Sequence, residues 1–274
     1  EVLSRAVHRG QTTHHVVGVR DAAGVGVLRD TPDALDALVG RGKYCDYPES
    51  ISALPVVQSG AETNIEEILA LDPQVVLMSD MSQTEEQAKL LEQNGVKVVI
   101  SDANDIAGVY TAIRMIGALM AKDDAAEALI GDMQATFDEI AAKSEKSGKT
   151  IYFEVSPLQW GLWTAGSGTF MDELATMCGV TNAFADISGW QSVSEEQVIE
   201  RNPDYIVSIA GMGDTAVEEI MGRDGWGDIG AVKNGRVYNA DSNAISRPGP
   251  RLKDAAIELY HFLNDDEAEE APAA

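Results

Sequence analysis

Residues 123–146, DDAAEALIGDMQATFDEIAAKSEK, decide how the rest of the chain is read. Leu129, Met133, Phe137 and Ile140 recur at helical spacing, an apolar stripe down one face. Asp123 stands where an N-cap is expected and acidic residues fill the first turn. Lys143, Lys146 and Lys149 gather at the other end, with Gly148 as the stop. At ~1.5 Å per residue such a helix runs roughly 36 Å, the width of a small domain. Alone it would be an ordinary surface helix; its flanks make it a connector.

On either side the chain says the same thing twice. Thr63–Leu77, TNIEEILALDPQVVL, aligns without gaps on Val193–Val207, VSEEQVIERNPDYIV, at a constant offset of 130. Glu66 falls on Glu196, Ile68 on Val198, Pro73 on Pro203 and Val76 on Ile206. A second pair follows at nearly the same offset: Gly95–Asp102, GVKVVISD, against Gly235–Asp241, GRVYNAD. Each copy carries a helix, an Asp/Asn-Pro turn, a buried strand, another helix and a strand ending in Asp. Strand alternates with helix throughout, the pattern of a mostly parallel sheet. The expected fold is α/β in two lobes, each a mostly parallel sheet with flanking helices, joined by one long backbone helix. Residues 1–104 form the first lobe, with 1–22 poorly defined, and 105–148 the connecting helices, including 123–146. Residues 149–264 form the second lobe and 265–274 an acidic tail read as disordered.

A chain of 274 residues suffices for two lobes with separate cores. Its net charge of −25 repels phosphate backbones and argues against a nucleic-acid partner. No run of 18 apolar residues exists, so no helix is expected to span a membrane. No export signal is visible, which fits either a cytoplasmic chain or a mature exported one. Cys45 and Cys178 fall one in each half, match no metal or redox spacing, and read as unpaired. Gln11–His15 contains two histidines that read as solvated rather than metal-binding. Gly24–Leu28 reads as a strand, and Val39–Glu49 as a loop with two tyrosines.

In an open α/β sheet, ligands bind beyond the carboxyl ends of the strands. The first half places Tyr44, Tyr47, Met78, Asp80 and Met81 there; the second places Trp160, Trp163, Trp190, Met212 and Arg247. Aromatics dominate the set and groups able to catalyse are few. Such loops suit a large planar or conjugated ligand, the alternative being that the side chains plug their own cores. Gly211–Ala216, GMGDTA, matches a dinucleotide fingerprint but lacks the acidic residue about 20 positions later, so it reads as a tight turn. Gly166-Ser-Gly-Thr-Phe170 at a helix start either holds an anion on its amides or lets backbone pack closely. No metal-ligand spacing, nucleophile elbow or placed histidine base is present, so no catalytic residue is assigned.

Tyr44-Cys-Asp-Tyr-Pro48, Asn64-Ile-Glu-Glu-Ile-Leu69, Gly166–Leu174, Val193–Val198 and Arg247-Pro-Gly-Pro-Arg251 together resemble the substrate-binding proteins of ABC importers for iron chelates and cobalamin. The resemblance runs in order over roughly residues 38–263. It implies two lobes bridged by one helix, a ligand cleft, a membrane permease as partner, a monomer, and a location at the extracellular face or in the periplasm, with a lipid anchor in the precursor. Glu66 and Glu196 would meet permease arginines. In cobalamin-binding members the aromatic positions map to Tyr47, Trp163 and Trp190, and a polar one to Asp241. The resemblance implies a carried metal chelate rather than a resident cofactor, and the same scaffold serves siderophores, haem and corrinoids; the aromatic and tyrosine loops place a corrinoid first, a ferric siderophore next and haem third, with Met78 or Met81 as candidate ligands of haem iron and Arg247 facing a carboxylate or a haem propionate. The family's first strand and Ser/Thr-rich turn are not found; Gly24–Thr31 stands in their place. The competing reading is a nucleotide- or metal-dependent enzyme built from the same units.

Overall fold

The structure is a computed structural model describing residues 16–18, 37–43, 45, 48–57, 64–79, 84–210, 213 and 215–264. The chain divides into two compact units, one of residues 1–103 with 107–132, the other of 104–106 with 133–274.

In the first unit five parallel strands lie in the order β3 (Val56–Val57), β2 (Leu38–Gly42), β1 (Val16–Gly18), β4 (Val75–Ser79), β5 (Lys97–Ser101). Four residues of β2, Val39–Gly42, fall in the stretch expected as loop; burial alternates along the strand, with Leu38, Gly40 and Gly42 inside, as a half-covered strand requires. Helices α1 (Ile65–Ala70), α2 (Thr84–Gln93) and α3 (Ile106–Leu119) follow the expected pattern. Val57, Ile68, Val76, Met78, Leu91 and Val96 form one buried cluster.

The second unit has parallel strands in the order β11 (Val237–Asn239), β10 (Tyr205–Ser208), β6 (Thr150–Glu154), β8 (Thr181–Asn182). Beside them stands an antiparallel ribbon of β7 (Trp163–Ala165) and β9 (Trp190–Ser192). Its helices are α5 (Phe170–Met177), α6 (Glu195–Arg201), α7 (Thr215–Met221), α8 (Gly230–Lys233), α9 (Ser242–Ile245) and α10 (Leu252–Asn264). Tyr152, Phe184, Val198, Ile206, Ile220 and Trp226 anchor its core.

The internal repeat is visible in the backbone. In each unit the repeated strands lie side by side in one order, β1-β4-β5 and β6-β10-β11. Asp72 and Asn202, equivalent in the repeat, have φ of 49° and 46°, two of only three non-glycine left-handed residues among those described. Asp and Asn tolerate that conformation better than other side chains, and the following proline cannot continue a helix. Gly95 and Gly235, also equivalent, carry φ of 84° and 69° where the chain turns into the next strand.

The long helix α4 runs Asp123–Lys143, three residues shorter than expected. Its buried face is Ala126, Ile130, Met133, Phe137 and Ile140; Leu129 sits at the edge of the stripe, half-buried. Asp123 lies inside the first turn and Lys122 accepts the first helical bond, from Ala126. Ser144 still bonds back to Ile140 through its amide and hydroxyl, and the helical bonding ends beyond it, where the Ser147 amide turns to the carbonyl of Gly179. The division between the units falls inside this helix, between Asp132 and Met133. Both cysteines are buried and neither is in a disulfide, and burial pushes the Cys178 thiol up to about 12. Gln11–His15, Gly24–Leu28, Gly24–Thr31 as a whole and the acidic tail lie outside the described residues.

Candidate functional site

The ribbon of the second unit is built from a constraint on its neighbours. Gly166 donates to Gly189, Ser167 to Ile187 and Gly189 back to Ser167, at 2.7–2.9 Å. A Cβ on Gly166 would stand 2.2 Å from the Ile187 carbonyl oxygen, so only glycine allows this approach. The glycine motif therefore serves close packing. Two of its helix-start amides already have partners: Phe170 N–H donates to Asn104 O at 2.8 Å and Asp172 N–H to the Thr169 hydroxyl at 3.3 Å.

Cross-strand pairing then fixes the tryptophans. Trp163 opposes Ser192 and Ala165 opposes Trp190, so the two indoles are diagonal neighbours on one face of the ribbon. Trp163 is 43% exposed and Trp190 half-buried. Beneath Trp190 lies the ring of Phe170, centroid to centroid 5.5 Å and tilted by 60°. Phe170 is itself 1% exposed and opens α5, so Trp190 rests on a fixed platform. The arrangement offers a firm aromatic wall with its outer ring open to solvent, suited to stacking against a flat ligand. Sequence reading missed Phe170 as a platform, although it ends the quoted glycine motif.

Other expected site residues fare differently. Trp160 is 75% exposed in the 3-10 turn Leu158–Trp160. Asp241 is exposed and caps α9, accepting from the Asn243 amide at 2.9 Å. Arg247 is half-buried. Met78 is 3% exposed within the first unit's core cluster, so it is a packing residue and not an iron ligand. Tyr44, Tyr47, Asp80, Met81 and Met212 lie outside the described residues, as do Gly211 and Asp214 of the dinucleotide-like motif; Gly213, at φ 60°, does form a turn. No group of three or more metal-ligating side chains occurs among the described residues, and no described helix is long and apolar enough to cross a membrane.

Glu66 and Glu196 are exposed, and each is the second residue of its helix, α1 or α6. Neither is the cap. Asn64 accepts from the amides of Glu66 and Glu67, and Ser194 with Gln197 forms a capping box. The Glu196 carboxyl is held below its usual range by the Ser194 hydroxyl and by its own backbone amide.

One feature of the second unit had no counterpart in the sequence reading. Glu154, at the end of β6, and Arg223, after α7, form a bidentate ion pair at 2.7 and 2.8 Å, with side chains 1% and 3% exposed. Burial pushes the Glu154 carboxyl up, against the hydrogen bonds and charge of Arg223, which pull it down. Desolvation opposes the Arg223 charge, but the hydrogen bonds of Glu154 and Glu219 outweigh it and hold the guanidinium firmly protonated.

Known proteins place this geometry in context. Residues 20–244 match the family described as periplasmic binding protein. An uncharacterised ABC transporter substrate-binding lipoprotein of Bacillus subtilis (strain 168), YvrC, is 34% identical over 84% of this chain and 74% of its own. A vitamin B12-binding protein of Salmonella choleraesuis (strain SC-B67) is 30% identical over 82% of each. A Staphylococcus epidermidis (ATCC 12228) structure, described as that of a possible iron-binding, periplasmic solute-binding protein, superposes with a TM-score of 0.79 at 28% identity, over 92% of this chain and 99% of that one. All three are described as binding proteins, and one of them as belonging to an ABC transporter. With its two α/β lobes and parallel sheets, the chain belongs to the periplasmic binding protein family.

Proposed function

We propose that this chain is the extracytoplasmic binding component of an ABC importer, that it carries a corrinoid-type metal chelate, and that it docks on its permease through Glu66 and Glu196. The observation that carries the ligand reading is the ribbon face bearing Trp163 and Trp190, backed by Phe170. Two things favour a corrinoid over a ferric chelate or haem. A relative of 30% identity is named for vitamin B12. The charge of −25 also repels polyanionic chelates and haem carboxylates, whereas a corrinoid of small net charge escapes that penalty. Tyr44, Tyr47, Met81, Trp160, Met212, Asp241 and Arg247 remain candidate contacts within this reading.

The test is native mass spectrometry of the full chain against cyanocobalamin, haemin and a panel of ferric siderophores, followed by tryptophan quenching with the ligand that binds. Cyanocobalamin is expected to bind and quench. Replacing both Trp163 and Trp190 by Ala should weaken binding by roughly 30-fold or more, since buried aromatic anchors dominate such sites. Unchanged affinity in the folded double variant would put the site elsewhere; selective binding of a siderophore or haemin would replace the corrinoid.

The docking reading rests on the matched helix position of the two glutamates. Asn64 and Ser194 do the capping, and a first-turn carboxylate complements the helix dipole, but neither effect requires glutamate at both matched positions. A two-fold permease offering a basic pocket to each lobe would need such a pair, and close charge pairs across an interface couple by roughly 1.5–7 kcal/mol. Glu66→Ala with Glu196→Ala is expected to leave ligand affinity and melting temperature nearly unchanged while abolishing uptake. Charge reversal to Lys should act more strongly still. Normal uptake by the double Ala variant would sink the docking role.

A further inference from the structure

We infer that Arg223 is the positioning residue of docking helix α6, holding its first turn through a buried chain of contacts that helix α1 replaces with apolar packing. The inference rests on the docking role of Glu196. The chain starts at the end of β6, where Glu154 takes two hydrogen bonds from the Arg223 guanidinium. Glu219, one turn back on α7, binds the same group from the other side. The guanidinium lies over the ring of Trp226, 4.4 Å from its centroid. Trp226 is fully buried, and its indole N–H donates to Glu195 at 3.0 Å. Glu195 is the first residue of α6 and the immediate neighbour of Glu196.

Ordinary helix chemistry does not ask for this. The capping box of Ser194 and Gln197 already satisfies the start of α6. The repeat supplies a control: Glu195 falls on Ile65, which packs against the apolar cluster of the first unit. An apolar residue can therefore hold a helix of this kind at this position. Two carboxylates on one guanidinium, with Glu154 and Arg223 almost wholly enclosed, are a poor way to gain stability, because desolvation consumes most of the attraction. What such a chain supplies is direction. Hydrogen bonds and a cation over a ring fix the rotation of α6 about its axis, whereas apolar contact tolerates small rotations. That rotation sets where Glu196 points.

The experiment is amide exchange on the full chain, resolved to the first turn of α6, in the parent, Glu154→Leu/Arg223→Met, Trp226→Phe and Arg223→Lys. The paired apolar replacement is expected to stay folded with a melting temperature near the parent's, while the first-turn amides of α6 exchange at least about tenfold faster. The first turn of α1 and the amides of β6 and β10 should keep parent rates. Trp226→Phe, which removes the indole donor, should reproduce the local loosening, and Arg223→Lys should not prevent it, because an ammonium cannot bridge both carboxylates in a fork. Unchanged exchange in α6, or loosening spread equally over the sheet, would overturn the inference. Uptake by Glu196→Ala tests the docking reading separately: normal uptake would remove the purpose of the strut without altering the exchange result.

Discussion

Arg223→Ala lowers the stability of the folded chain by about 3–5 kcal/mol, the expected cost of stranding a buried partner charge. The loss has a defined origin. With the guanidinium gone, Glu154 keeps its enclosure, at 1% side-chain exposure, and loses both charge-assisted bonds. Trp226 loses the cation over its ring and gains a void in a core cluster. Removing both charges at once, as in Glu154→Leu/Arg223→Met, should cost far less, because apolar groups of similar volume pay no desolvation. A pH dependence separates stranded charge from lost packing. In the parent the upward push of burial on Glu154, reinforced by Glu219 and Glu195, is opposed by Arg223; in the Ala variant only the upward pushes remain. A carboxyl raised in the folded state contributes stability that is complete below its unfolded value and lost as pH rises through its folded value. The variant's deficit should therefore be smaller near pH 4.5 than at pH 8, and at neutral pH its melting temperature should fall by roughly 10 °C or more. Denaturant unfolding at both pH values measures this. A deficit under about 1 kcal/mol, equal at both, would mean that the pair is not charged and enclosed as described.

That ion pair also marks where sequence reading stops. The long helix and the duplicated unit were legible because periodicity and local turn chemistry specify them within a few residues: Asp72 and Asn202 adopt the same left-handed turn before a proline in both copies. The paired Glu66 and Glu196 were found the same way, and their caps, Asn64 and Ser194, lie two positions upstream. The tryptophans were noticed, but the ribbon that aligns them was not. Each of its strands has three residues, too short for any period to register, and their partnership spans 24 residues of intervening chain. Phe170 under Trp190, and Arg223 on Glu154, are contacts between distant segments whose only local trace is an acidic residue in an otherwise apolar strand, TIYFE. Met78 misled for the opposite reason. A parallel strand covered on both faces buries every residue, so lying near a strand end does not bring a side chain into the site.

The second large effect concerns ionic strength. The chain carries 45 acidic against 20 basic residues, an excess of 25 negative charges. Folding brings together carboxylates from separate elements that the expanded chain keeps apart, so self-repulsion opposes the compact state. Five helices begin with adjacent acidic residues: Glu66-Glu67, Glu85-Glu86, Asp123-Asp124, Asp172-Glu173 and Glu195-Glu196. Helix dipoles compensate each start by about 0.3–1 kcal/mol, which does not balance the whole excess. Salt works in two directions. It weakens the exposed pairs Lys89–Glu85, Arg114–Glu127, Lys143–Glu139 and Arg201–Asp186, each worth at most about 1 kcal/mol. It leaves Glu154–Arg223 nearly untouched, because the pair is enclosed. It also screens the repulsion of every unpaired carboxylate, as the Debye length falls from about 10 Å at 0.1 M to about 3 Å at 1 M. Acidic residues outnumber basic ones by 25, so repulsion exceeds what ion pairs can offset and screening wins. The melting temperature should rise between 0.1 and 1 M KCl by a few degrees, equivalent to roughly 1–2 kcal/mol for a chain of this size. Chloride rather than sulfate keeps strengthened apolar burial from accounting for the gain. Repeating the titration near pH 4, where many carboxylates are neutral, should shrink the rise. A flat or falling melting temperature at neutral pH would mean that the attractive pairs, and not the excess charge, set the balance.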